Sequence, residues 1–66
     1  MSKKPVILSH TKMVESDGKY IYILADGAID DEDMNIYLVN QDILSYNFRR
    51  STKDPESGTY IYVYAY

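Results

Sequence analysis

Residues 59–66, Thr-Tyr-Ile-Tyr-Val-Tyr-Ala-Tyr, alternate strictly between tyrosine and an aliphatic or small residue. Successive side chains of a strand leave on opposite faces, so Tyr60, Tyr62, Tyr64 and Tyr66 share one face and Ile61, Val63 and Ala65 the other. The design recurs at residues 19–26: Tyr20, Tyr22 and Leu24 fall on one face and Ile21, Ile23 and Ala25 on the other. Two such ribbons commit the chain to a tyrosine-rich sheet.

The chain has 66 residues, enough for one domain spanning residues 1–66. A chain this short buries only ~60% of its unfolded surface. Ordering it costs on the order of 100 kcal/mol, at ~1.5 kcal/mol per residue, which burial must offset. Small chains usually meet that cost with disulfides, a metal or a partner subunit. There is no cysteine, which removes disulfides and thiolate metal sites, and a single histidine, so a His-based zinc site would need carboxylates or a second chain. Tyrosine burial and oligomerisation remain. Tyrosine suits the first, because it covers much apolar area while keeping a polar tip.

The formal charge is −3. It favours neither nucleic acid nor an anionic membrane as a partner. The N-terminal Met1-Ser2-Lys3-Lys4-Pro5 is followed only by the apolar run Val6-Ile7-Leu8, too short for a signal peptide or a membrane span. Together with the absence of cysteine, this leads to the expectation of a soluble cytoplasmic protein.

Along the chain, residues 6–14 have β-rich composition without a clean apolar face. Glu15-Ser16-Asp17-Gly18-Lys19 is a hairpin signal, since glycine takes positive φ without strain. Residues 26–33 follow, with five acids in eight positions, and are expected to be a solvated acidic loop. Residues 35–40, Asn-Ile-Tyr-Leu-Val-Asn, are richer in β-formers than in helix formers and are expected to be a strand. The rival is a helix near 30–44, capped by Asp30, with Asp31, Glu32 and Asp33 in its first turn and Met34, Tyr37, Leu38 and Gln41 at helical spacing. Asn40-Gln41-Asp42 reads as a turn. Residues 43–50 alternate again, with Leu44, Tyr46 and Phe48 on one face. Residues 51–58 carry Asp-Pro and Ser-Gly and read as a polar turn. The sum is an all-β fold: five antiparallel strands in a meander or small barrel-like sheet, with α+β as the alternative.

No catalytic motif is present: there is no Gly-x-Ser-x-Gly elbow, P-loop or metalloprotease helix. The chain is expected not to be an enzyme and to need no cofactor. The candidate sites are surfaces. Tyr20, Tyr22, Tyr60, Tyr62 and Tyr64 suit a protein interface, where tyrosine is enriched; the bland alternative is core filling or cross-strand pairing. Asp30, Asp31, Glu32 and Asp33 would steer a basic partner, such as the phosphate-binding arginines of a nucleic-acid enzyme, or simply face water. Asp31-x-Asp33-x-Asn35 matches the start of a calcium loop, but Ile36 stands where that loop needs glycine, so no metal is expected. Arg49, Arg50 and Lys53 form a small basic spot suited to a phosphate. His10 pairs with no nucleophile at a readable spacing and is a strand residue.

The lead expectation is therefore a small interaction protein that binds and blocks a protein target through tyrosines and acids. The alternative is a binder of a nucleotide or another phosphorylated small molecule. Lacking cysteine, acidic and rich in tyrosine, the chain resembles in composition the small inhibitors that bacteriophages direct at host defence or replication proteins; no motif carries the likeness. The final strand, uncovered at its edge and free of internal lysine or proline, is expected to form a homodimer through Tyr60, Tyr62 and Tyr64, by edge pairing or by tyrosine faces meeting; the alternative is a central strand, paired on both sides within one chain, with its tyrosines in the core.

Overall fold

A computed structural model describes residues 4–66. Met1, Ser2 and Lys3, the first part of the expected N-terminal segment, lie outside the described residues. The elements in chain order are β1 (Ile7–Glu15), β2 (Gly18–Ala25), α1 (Asp31–Asn40), β3 (Asn47–Lys53) and β4 (Tyr60–Ala65). The strands form one antiparallel sheet in the order β1-β2-β4-β3. Among the described residues the fold is mostly β, with four strands and one short helix.

The β1–β2 hairpin forms where the Asp-Gly signal lies. Glu15 stands opposite Gly18, and Gly18 takes φ 149, a conformation open to glycine. At the far end of the hairpin, the Asp26 N–H donates to the Val6 carbonyl at 3.0 Å and the Val6 N–H donates to Asp26 Oδ1 at 2.6 Å. Gly27 lies close to Pro5 beside this pair: a Cβ there would stand 3.0 Å from Pro5 Cβ, a tight contact that Pro5 would have to yield to.

The strand expected over residues 35–40 is instead part of α1. Asp30 occupies the N-cap with extended backbone, and Asp31, Glu32 and Asp33 fill the first turn, where carboxylates meet the positive end of the helix dipole. Met34 and Leu38, four apart on one face, are buried. That burial outweighs the β-propensity of Ile36 and Val39, each 52% exposed. The helix ends in a Schellman motif. The Ile43 N–H donates to the Leu38 carbonyl at 2.9 Å and the Asp42 N–H to the Val39 carbonyl at 3.1 Å, with Asp42 left-handed at φ 58. Ile43, 1% exposed, packs back into the core with Leu38.

The remaining strands depart from expectation in three ways. The strand expected over 43–50 begins only at Asn47, because the helix end and its turn occupy 41–46; Leu44 is 53% exposed. Strand β3 then runs on to Lys53, into the segment expected to be a turn, and the turn itself is held by Asp54. The sheet is open, with β1 and β3 as its two edges, so the barrel-like form is not adopted. Strand β4 is not an edge: it pairs with β2 on one side and β3 on the other. A sheet extended through β4 is therefore unavailable.

Helix α1 covers one face only. The core joins Ile21 and Ile23 of β2, Met34 and Leu38 of α1, Ile43 and Tyr64. A helix is about 10 Å across and strands are about 4.8 Å apart, so a single helix shelters roughly two of the four strands. The side of the sheet toward β3 stays open, and every residue of β3 is exposed.

Candidate functional site

The two tyrosine ribbons face opposite ways. Across β2 and β4, Ile21 stands opposite Tyr64, Ile23 opposite Tyr62 and Ala25 opposite Tyr60. Directly opposed residues share a face, so Tyr60, Tyr62 and Tyr64 lie on the helix side. Tyr20 stands opposite Ala65 and Tyr22 opposite Val63, on the bare side. One strand turns its aliphatics toward the helix and the other its tyrosines, so the expected site splits in two.

On the helix side, Tyr62, Tyr64 and Phe48 form the floor of a groove of about 310 Å³, walled by Ile29, Met34 and Asp31. Phe48 packs edge-on against Tyr64 with ring centroids 5.5 Å apart. The Tyr62 hydroxyl accepts the Ile29 N–H at 2.9 Å, and its ring stacks with Tyr60 at 6.5 Å. Lys53 Nζ lies 5.5 Å from the centre of the Tyr60 ring. Burial raises the Tyr64 phenol above its ordinary value, and the nearby Asp31 carboxylate and Tyr62 raise it further. Of the expected acidic loop, residues 26–30 are non-helical and Asp31, Glu32 and Asp33 are instead the first turn of α1; of the four acids Asp30 to Asp33, Asp31 lines the groove. Asp33 approaches Lys4 at 3.9 Å across an exposed gap, a contact worth little in water.

On the bare side, Tyr20, Tyr22, Arg49 and Arg50 line a hollow of about 520 Å³ together with Glu15 and Asp17. The Tyr20 hydroxyl donates to Asp17 Oδ2 at 2.7 Å, and this hydrogen bond raises the Tyr20 phenol above its ordinary value. Lys53 is not part of this hollow. It stands opposite Tyr60 on the helix side, because an irregularity between Phe48 and Arg50 shifts the alternation of β3. The expected basic trio is thus divided.

Asp31, Asp33 and Asn35 sit two apart on a helix, where successive members diverge by about 200°; they cannot converge as the first ligands of a calcium loop do. Among the described residues, no group of three or more histidines or acids is placed to hold a metal. His10 packs edge-on against Tyr37 at 5.7 Å, its Nδ1 and the Tyr37 hydroxyl in hydrogen-bond contact. Ile29, Met34 and Phe48 escaped the sequence reading as site residues. They meet only because the helix lands on the sheet beside β4, and no local pattern announces that.

Comparison with known protein families, characterised proteins and solved structures finds no match for this chain. Among the described residues, no helix is long and apolar enough to cross a membrane.

Proposed function

We propose that this chain is a non-catalytic interaction protein that seats a segment of a protein target in the groove between the start of α1 and β3. One observation carries the proposal: Asp31 of the helix and Tyr62, Tyr64 and Phe48 of the sheet converge on a single groove. An aromatic floor suits an apolar anchor residue, and a carboxylate lip suits flanking lysine or arginine. The target is of the kind expected from sequence, a defence or nucleic-acid-processing protein with a basic phosphate-binding surface. Occupying that surface blocks the target rather than turning anything over. The test is affinity capture from host lysate over a range of salt, comparing the native chain with Phe48→Ser. Phe48 is 55% exposed, so its loss leaves the fold intact. One protein retained by the native chain, released with rising salt and lost with Phe48→Ser, is the expected result. No retained protein, or equal retention by the variant, overturns the proposal.

A second function rests on the opposite face. Tyr20 and Tyr22 beside Arg49 and Arg50 suit a nucleotide or other phosphorylated small molecule, with a ring on the tyrosines and phosphate on the guanidiniums. A thermal-shift panel of nucleotides separates the two: stabilisation lost with the Arg49→Ala, Arg50→Ala double variant supports binding, and a flat panel rejects it.

A further inference from the structure

We infer that two copies of this chain associate through the free edge of β1, which pairs with its own copy across a two-fold axis and joins two four-stranded sheets into one. Strand β1 is the longest in the sheet, nine residues from Ile7 to Glu15, and among the described residues is paired on one side only.

The direction of its free backbone groups follows from one hydrogen bond. The Lys19 carbonyl accepts from the Tyr66 N–H, so Lys19 directs its backbone toward β4 and Tyr20, the next residue, toward β1. Met13 stands opposite Tyr20 and Thr11 opposite Tyr22, so both bond inward to β2. His10, Lys12 and Val14 alternate with them and direct their N–H and C=O groups outward, with no partner among the described residues.

Exposed apolar side chains accompany this edge. Leu8 is 58% exposed, Met13 40% and Val14 79%, with Val6 just ahead of the strand at 49%. Unpaired backbone beside exposed apolar side chains is what strand addition uses. The other edge is more heavily charged. Both edge strands carry an irregularity, between Ile7 and Ser9 in β1 and between Phe48 and Arg50 in β3, but β3 carries three cations, Arg49, Arg50 and Lys53, against the single Lys12 inside β1, so self-pairing of β3 would set more like charges together.

The register is set by the strand's own midpoint. Thr11 is the centre of Ile7–Glu15, and a two-fold axis there pairs the whole strand with itself. Thr11 then faces Thr11 of the second copy, Ser9 faces Met13, and His10 and Lys12 exchange hydrogen bonds. Leu8 faces Val14, next to the irregularity between Ile7 and Ser9. Thr11 bonds inward, so its pair is of the non-hydrogen-bonded kind, with Cα atoms about 4.5 Å apart. That spacing lies within the range a disulfide spans.

Sedimentation equilibrium of the native chain at micromolar concentration is expected to return twice the monomer mass; a monomer mass overturns the inference. Lys12→Pro removes one outward N–H and no bond to β2, so it should yield a folded monomer with unchanged β-sheet circular dichroism. Should that variant stay dimeric, the β1 edge is not the interface. Thr11→Cys keeps the inference testable if the proline variant does not fold. The native chain has no cysteine, so mild oxidation should give one covalent dimer whose unfolding midpoint no longer depends on concentration. No covalent dimer under conditions where the native chain dimerises overturns the Thr11-centred pairing.

Discussion

The Tyr62 hydroxyl accepts a hydrogen bond from the Ile29 backbone N–H at 2.9 Å, tying the approach to the helix onto the central strand. Tyr62→Phe keeps the ring and leaves that half-buried N–H without its partner. The expected loss is about 1–2 kcal/mol, read as a lower denaturant midpoint at unchanged slope. Ile29 and Tyr62 both line the groove, so target affinity should fall as well. An unchanged midpoint would show that the bond contributes nothing to the fold.

Ile21→Ala and Leu44→Ala should separate cleanly. Ile21 is fully buried and Leu44 is 53% exposed. Truncating the first leaves a cavity and costs about 2–5 kcal/mol. A chain of 66 residues has roughly 3–10 kcal/mol of stability at 0.05–0.15 kcal/mol per residue, so Ile21→Ala should lose a large share of its stability and melt well below the native chain. Leu44→Ala should stay within about 0.5 kcal/mol of the native chain. Thermal melts by circular dichroism check both, and equal effects would contradict the burial pattern.

Asp42→Gly should stabilise the protein. Asp42 is left-handed at φ 58 in the Schellman motif, the position where glycine is most common. Its carboxylate also sits at the negative end of α1, which has no basic residue in its last turn. Relief of both should add about 1 kcal/mol, and Asp42→Asn, which removes only the charge, should recover a smaller part. Urea midpoints order the three proteins; a destabilised glycine variant contradicts the assignment.

Stability should fall at alkaline pH. Burial, joined by the field of Asp31, raises the Tyr64 phenol above 10.0 in the folded state, and burial raises Tyr37 likewise. The folded protein then holds these protons more tightly than the unfolded chain does. Their contribution is fully present below pH 10 and is lost as pH rises through the folded values. Tyr64→Phe should change little at neutral pH and flatten the decline above pH 10. Denaturant titrations at pH 8 and pH 11 check it, and a native chain as stable at pH 11 as at pH 8 would contradict it.

The two tyrosine ribbons and the β1–β2 hairpin were legible because alternation and Asp17-Gly18 are local signals. The helix was legible only as a rival. Its middle is made of β-formers, and its C-terminal signal was hidden because Asp42 stands where glycine usually does. Strand β3 was placed poorly for a related reason: all of its side chains are exposed, so burial imposed no alternation on Asn47–Lys53. Of the candidate site, Asp31, Tyr62 and Tyr64 were named from sequence, whereas Phe48, Met34 and Ile29 were not, since they meet them only across the fold.

By itself, the sequence determined that residues 20–25 and 60–65 are two-faced strands, that a tight hairpin precedes the first, and that neither cysteine chemistry nor a recognisable catalytic motif is available. Alternation states that a strand has two unlike faces, but not which face is buried. That choice was made by where α1 lands: it buries Ile21 and Ile23 on β2, and Tyr64 with part of Tyr62 on β4, because opposed residues of neighbouring strands share a face. Tertiary structure also set the strand order. The helix carries the chain past one strand position, β3 lies parallel to β2 with a gap between them, and β4 fills it by pairing with both. The strand that looked like an open edge in sequence therefore became central, and the unpaired backbone passed to β1.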